Sequence, residues 1–197
     1  MLGSGPGAIH PARDINPVPM KSNQIIPISV LLVLLAGCVS SMYPFYTPDD
    51  LVRDDALLGK WRYEQETWKF EQIDSLSYRL IHVEDGKRGE FVAHLVLLDS
   101  LMFLDLYPVE NKAFNGMHSM HLIPTHTFSR IWLGKDRLTL AMFDYEKVKA
   151  LLARDSLTTD YVVSSNRQVV LTGHTATLQQ FALSNLDLFG EGIQLHR

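Results

Sequence analysis

Three histidines, His118, His121 and His126, are the residues whose types and spacing most readily suggest chemistry. Imidazole nitrogens bind zinc or copper when two or three of them converge on one ion. In a strand the side chains of His118 and His121 would point to opposite faces, so they converge only in a turn or a helix. The sequence therefore predicts either a metal site here or a loop of surface or half-buried histidines.

A fourth histidine, His94, lies inside the nearly continuous apolar run at residues 91–98. A histidine in such a run either donates a hydrogen bond to a carbonyl group in the core or contacts a bound ligand. We therefore keep His94 as a candidate ligand-binding residue beside the simpler structural interpretation.

Signatures of common enzyme sites are absent from the sequence. There is no Gly-x-Ser-x-Gly motif of a nucleophile elbow and no glycine-rich phosphate-binding loop. The carboxylates Asp99, Asp105 and Asp144 lie at or near the ends of predicted strands, where acidic residues usually face water. We assign no catalytic residue and no cofactor, and an enzymatic activity stays an open alternative.

Cys38, the only cysteine, ends an apolar run that begins at Ile25 and reads IIPISVLLVLLAGC. Lys21 precedes the run, and small or aliphatic residues fill the three positions before the cysteine. A basic start, a short apolar centre and a small-residue end are typical of a processed signal peptide. A membrane-spanning helix needs about 20 apolar residues, and this run is shorter and contains Pro27.

These residues resemble the signal peptide and lipobox of a bacterial lipoprotein, the lipobox being Leu35, Ala36, Gly37 and Cys38. The resemblance implies that the signal is removed and that Cys38 is lipidated by palmitate-like acyl chains. Because each buried methylene group contributes about 0.8 kcal/mol, three chains would hold the protein on a membrane almost permanently. An uncleaved membrane anchor is the alternative, and Val39 after the cysteine favours an outer-membrane destination.

The signal divides the chain into four parts. Residues 1–19 are rich in Gly and Pro and are predicted to be a misassigned or disordered leader. Residues 20–37 form the signal peptide, and residues 38–56 contain the lipidated cysteine and a linker with two prolines, whose aromatic residues either rest at the lipid headgroups or pack on the domain. Residues 57–197 are long enough for one domain with its own core.

The charge of the chain excludes one class of function. With 22 acidic and 18 basic residues, the formal net charge is −4. Proteins that bind nucleic acid need clustered Lys and Arg to contact phosphates, so we predict no nucleic-acid partner.

Hydrophobic periodicity and turn residues predict a mainly β domain with antiparallel strands. Eight predicted strands span residues 57–70, 75–84, 90–98, 101–106, 127–133, 137–144, 160–164 and 168–171. Amphipathic segments predict helices at residues 145–154 and 175–186. Because a closed barrel removes the exposed edges of such a meander, we expect an eight-stranded barrel with a short helix before the last two strands and a C-terminal helix.

Two short motifs resemble those of lipocalins over about residues 57–190. Gly59-x-Trp61 resembles the Gly-x-Trp that begins the first strand, where the tryptophan closes one end of the barrel. Thr159-Asp160-Tyr161 resembles the second motif, which precedes the seventh strand, and Arg167 is the candidate for the arginine of the third. The predicted helix at residues 145–154 and the irregular segment at residues 108–124 depart from the lipocalin pattern. The resemblance implies a lipocalin-like barrel.

The expected function follows from the anchor and the barrel. We predict an extracytoplasmic protein of the bacterial cell envelope, bound to the membrane through Cys38, with a barrel that binds a small hydrophobic ligand or serves a structural role. Trp61, His94, Phe128 and Trp132 are the predicted ligand-binding residues, the last two as part of the barrel lining. The alternative is an accessory protein that docks on another envelope protein through residues 108–124, and a metal-binding protein or a hydrolase is a further one.

Overall fold

A computed structural model describes residues 39–109 and 115–197, so Cys38 and the predicted leader and signal peptide lie outside the described residues. These residues form strands β1 Val39–Ser41, β2 Leu51–Val52, β3 Gly59–Tyr63, β4 Glu66–Gln72, β5 Ser77–Glu84, β6 Lys87–Leu98, β7 Leu101–Pro108, β8 Thr127–Leu133, β9 Arg137–Ala141, β10 Tyr161–Val163, β11 Val169–Leu171 and β12 Ile193–His196. The helices are α1 Gly116–Ser119, α2 Tyr145–Ala153 and α3 Thr175–Ser184. In the described part of the chain, none of the helices combines the length and the apolar character needed to span a membrane.

Eight of these strands form a closed antiparallel barrel. Each strand from β3 to β9 pairs with the next one in sequence, and β12 pairs with both β9 and β3. The short strand β2 pairs with the end of β6 that β5 does not reach. The prediction of a mainly β, eight-stranded antiparallel barrel with a short helix and a C-terminal helix is confirmed.

The barrel interior is filled by apolar side chains that come from all eight strands. Because successive side chains of a strand point to opposite faces, alternate residues of each strand meet inside. This interior cluster includes Leu57, Trp61, Phe70, Tyr78, Leu80, Ala93, Leu95, Leu104, Leu106, Ile131, Leu138, Leu140 and Leu195, all of them buried. Large side chains at several of these positions favour a packed core.

A second apolar core lies on the outer face of β6, β7 and β8, under the helices. Val96 and Phe103 pack there with Val148 of α2 and with Leu178 and Phe181 of α3. Leu95 packs inside the barrel and Val96 and Leu98 pack outside it, so β6 contributes to both cores, which explains the nearly continuous apolar run from residue 91 to residue 98.

The first predicted strand, residues 57–70, is wrong as a single element. The structure has a hairpin of β3 and β4 that turns at Glu64 and Gln65, with Trp61 opposite Trp68. Glu64 adopts a positive φ of 50°, which is uncommon for a residue other than glycine. Because no Gly, Asn or Pro marks this turn, the sequence carries no signal for it.

The two predicted closing strands are present as β10 and β11, but their placement in the barrel is wrong. β10 and β11 form a separate three-stranded sheet with β1, so Thr159-Asp160-Tyr161 does not precede a barrel strand. The barrel is closed by β12, which follows α3. Gly192 precedes β12 with a φ of 78°, and a Cβ atom there would lie 2.6 Å from the carbonyl oxygen of Leu140. β12 alternates apolar and polar residues, but over only four residues, the shortest run that indicates a strand, and it was not predicted.

Residues 39–56, predicted as a linker, pack on the domain. β1 pairs in parallel with β11, and the backbone of Ser41 exchanges two hydrogen bonds of 2.8 Å with that of His126. Phe45 is fully buried and stacks on Phe128, with their ring centroids 4.1 Å apart. This segment therefore ties the small sheet to the barrel wall.

Candidate functional site

A cluster of His94, Asp105 and His126 lies on the outer wall of the barrel. Asp105 of β7 is completely buried, and its Oδ1 accepts a hydrogen bond of 2.8 Å from Nδ1 of His126. Its Oδ2 accepts a hydrogen bond of 3.1 Å from the backbone N–H of Phe45. His94 of β6 lies directly opposite Asp105 in the strand register. We call these three side chains the histidine–aspartate cluster.

Strand alternation positions the cluster. Leu104 and Leu106 belong to the interior core, so Asp105 between them faces outwards. Two aromatic rings cover the histidines: the ring of Tyr46 lies 4.5 Å from that of His94, and the ring of Tyr107 lies 4.5 Å from that of His126.

Burial changes the acidity of two of these groups. The pKa of His94 is lowered mainly because burial disfavours its charged form, and the nearby His126 lowers it further, whereas Asp105 and Asp74 oppose the shift. The pKa of Tyr46 is raised by burial and, to a lesser extent, by the negative charge of Asp105. The Nδ1 atom of His94 is buried and has no hydrogen-bond partner among the described residues.

The geometry of the cluster is that of a structural connection. An Asp–His pair supports nucleophilic catalysis when the histidine also accepts a proton from a hydroxyl or thiol group. In residues 39–109 and 115–197, no side-chain hydroxyl is hydrogen-bonded to His126, whose ring contacts Asp105 and Tyr107. The buried carboxylate of Asp105 instead accepts hydrogen bonds from His126, just before β8, and from the backbone N–H of Phe45. It thereby connects these two segments.

The predicted metal ligands are not gathered into a site. His118 and His121 are exposed, the first in α1 and the second just after it, whereas His126 is buried against Asp105. Within the described ranges, no group of three or more His, Cys, Asp or Glu side chains is arranged to hold a metal ion.

The four predicted ligand-binding residues lie in different places. Trp61 is inside the barrel, fully buried, and its Nε1 donates a hydrogen bond of 2.8 Å to the carbonyl oxygen of Leu57. The side chains of Phe128 and His94 lie on the outer side of the barrel wall. Trp132 also faces outwards, is 47 % exposed, and has the guanidinium group of Arg130 at 4.7 Å from its ring. The structure therefore does not bring these four side chains into one cavity.

The assignment of Phe128 and Trp132 to the barrel lining was wrong for a physical reason. In β8, Ile131 faces the interior and Phe128 packs in the outer core. Since both faces of this strand carry apolar residues, alternation alone does not identify the inner face.

An open groove lies outside the barrel, between the three-stranded sheet and the chain leading into β8. Its volume is about 510 Å³. Apolar side chains from three segments line it, together with polar ones: Ser40, Met42, Ile123, Thr125, Thr127, Val162, Gln168, Val170 and Thr172. A volume of this size is within the range of small-molecule sites.

Comparison of the chain with protein-family models, with curated proteins and with solved structures found no match in any of the three. The lipobox and the Gly59-x-Trp61 motif therefore stay resemblances.

Sequence reasoning missed two sets of contacts, those of Arg197 with Trp61 and those of Asp105 with Phe45 and His126. Arg197 lies over the ring of Trp61 at 4.5 Å and donates hydrogen bonds to the carbonyl oxygens of Ala56 and Leu58. Arg167, the arginine suggested by the lipocalin resemblance, is exposed in the turn between β10 and β11. The sequence predicts Asp105 only as a strand-end carboxylate that faces water. Its position within the apolar segment LMFLDLYP is the one signal in the sequence that it has a buried partner.

The lowered pKa of His94 predicts an acid-sensitive contribution to stability. Between the ordinary histidine value of about 6.5 and the lower folded value, the unfolded chain binds more protons than the folded one, so the free energy of unfolding decreases as the pH falls through this window. Urea unfolding of the protein and of His94→Gln at several pH values measures this. We expect a shallower pH dependence in the variant, and identical slopes would contradict the prediction.

Proposed function

We propose that this chain is a lipid-anchored protein of the bacterial cell envelope whose barrel is a rigid scaffold. The packed interior of the barrel is the observation that favours a scaffold over a ligand carrier. Trp61, Phe70, Tyr78 and Leu80 are among its largest side chains, and each is at most 2 % exposed. Side chains of this size occupy the space in which a small barrel would otherwise hold a ligand.

The support for a lipid anchor comes from the sequence, and the described strands are compatible with cleavage before Cys38. Residues 25–38 have the length, the apolar character and the terminal Leu-Ala-Gly-Cys of a lipoprotein signal. β1 begins at Val39, the residue after the proposed lipidated cysteine. A mature protein that starts at Cys38 would keep every strand of the fold described above.

Intact-mass measurement of the full chain expressed in a Gram-negative bacterium tests both parts of this proposal. Under denaturing conditions we expect a mass equal to residues 38–197 plus a diacylglyceryl group and an amide-linked acyl chain. Under native conditions in detergent we expect no additional bound molecule. Cys38→Ser should lose the acyl chains and leave the detergent phase on phase separation, whereas Tyr43→Ala, at an exposed position five residues away, should behave like the wild type.

Two results would contradict the proposal separately. An uncleaved chain with no acyl groups would replace the lipid anchor by a peptide anchor. A stoichiometric apolar molecule on the natively sprayed protein would restore the carrier function, with that molecule as its ligand.

The second candidate function is an accessory protein that docks on another envelope protein. It is favoured by exposed apolar side chains in the segment that was singled out for docking, where Met117, Met120 and Ile123 are 69 %, 78 % and 68 % exposed. Contiguous apolar surface of this kind usually marks an interaction site.

A further inference from the structure

The proposed anchor joins the domain with no spacer. Cys38 directly precedes Val39, which pairs with Val169 in the three-stranded sheet. Two residues later Ser41 is hydrogen-bonded to the barrel wall at His126. One residue of extended chain spans about 3.6 Å. The acyl chains would therefore emerge beside the three-stranded sheet, and the position of Cys38 determines which side of the domain is near the membrane.

That side of the domain exposes apolar residues from three separate segments. Met42 follows β1, Ile123 precedes β8, and Val162 lies in β10, and these three line the same groove. Ile123 and Val162 are 68 % and 57 % exposed. We define the anchor-side face as Met42, Ile123 and Val162, which line the groove, together with Met120 and Leu122 of the segment that carries Ile123, all of them exposed.

The same segments carry no acidic residue. Residues 39–48, 115–127 and 161–175 contain no Asp or Glu, although the chain has 22 of them. Arg167 is the only lysine or arginine in these three segments. Asp160, exposed just before Tyr161, flanks these segments. Because anionic lipids repel carboxylates and attract cations, segments with so few carboxylates on an acidic protein are suited to the surface of a bilayer.

We infer that the anchor-side face lies in the headgroup region of the bilayer that holds the acyl chains of Cys38. This inference rests on the lipidation proposed above and adds an orientation to it. Exposed Met, Leu, Ile and Val side chains enter the boundary between headgroups and acyl chains, where burying apolar surface is favourable. The barrel is held against the membrane by its small sheet, and the side of the barrel away from this sheet faces the aqueous phase.

The single cysteine of the chain makes a clean test possible. When the sulfur of Cys38 carries the diacylglyceryl group in a thioether, a cysteine introduced elsewhere is the only free thiol. A polarity-sensitive fluorophore is attached to lipidated Val162→Cys and Ile123→Cys proteins in phosphatidylcholine–phosphatidylglycerol vesicles that contain a headgroup-nitroxide lipid. Trp132→Cys is the matched control, because Trp132 is an apolar, 47 % exposed residue. It lies five residues, roughly 16 Å of extended strand, beyond Thr127 at the groove.

We expect several-fold nitroxide quenching of the labels at positions 162 and 123 and little quenching at position 132. Equal, weak quenching at all three positions of an acylated protein would overturn the inference and leave the lipid anchor intact. Labels that are shielded from water without being quenched would also overturn it and indicate a protein on this face. A protein whose mass shows no acyl groups would contradict the anchor and this inference together.

Discussion

Replacing Trp61 by alanine is expected to lower the free energy of unfolding by about 3–5 kcal/mol, the usual cost of truncating a large buried aromatic side chain. The ring is fully buried in the barrel interior, and its Nε1 is hydrogen-bonded to the carbonyl oxygen of Leu57. The guanidinium group of Arg197 covers the ring at 4.5 Å and ties the last residue to the segment before β3. The substitution therefore opens a cavity and loosens the closure of the barrel.

Trp132→Ala is the matched control for this prediction. The same side chain is removed, but from an outward-facing position that is 47 % exposed, so we expect a change below about 1 kcal/mol. Urea unfolding followed by far-UV circular dichroism measures both variants. Equal destabilisation by the two substitutions would mean that the packed interior is not the main source of stability.

Phe45→Ala is expected to cost about as much, roughly 3–5 kcal/mol, although Phe45 lies in the segment that was predicted as a linker. Its ring stacks on Phe128 at 4.1 Å and meets Phe103 edge-on at 5.0 Å. Its backbone N–H donates to the buried carboxylate of Asp105. Losing the ring removes the cover over this outer core and weakens the attachment of β1.

The control for Phe45→Ala is Tyr43→Ala, two residues earlier and 40 % exposed. Denaturant unfolding should show a small change for the control, and limited proteolysis should cut the segment at residues 39–47 faster in Phe45→Ala only. If Phe45→Ala is as stable and as resistant to protease as the wild type, the segment is a free tether and the domain can move away from the membrane.

These results bear on function because the proposed scaffold depends on rigid attachment. The histidine–aspartate cluster and Phe45 fix β1 to the barrel wall, and β1 carries the proposed anchor. A loosened β1 would let the anchor-side face leave the bilayer while the protein stays lipidated.

Local patterns were enough to place most elements. β8, α2 and α3 begin at the predicted residues, because alternating and helical periodicities are properties of short segments. The predicted number of barrel strands, eight, is confirmed, although two of the predicted strands lie outside the barrel. Splitting residues 57–70 into a hairpin and adding β12 compensated for the two strands that left the barrel for the small sheet.

The sequence by itself determined the strand-rich character of the domain and the positions of its two longer helices, because each of these depends on neighbouring residues. The tertiary structure alone decided which strands close the barrel and which face of each strand lies inside. It also decided that Asp105 meets Phe45, which is 60 residues away, and His126, which is 21 residues away. The physical reason is that a four-residue strand such as β12 and a buried carboxylate are stabilised by partners distant in the chain, and the residues of a short segment do not identify those partners.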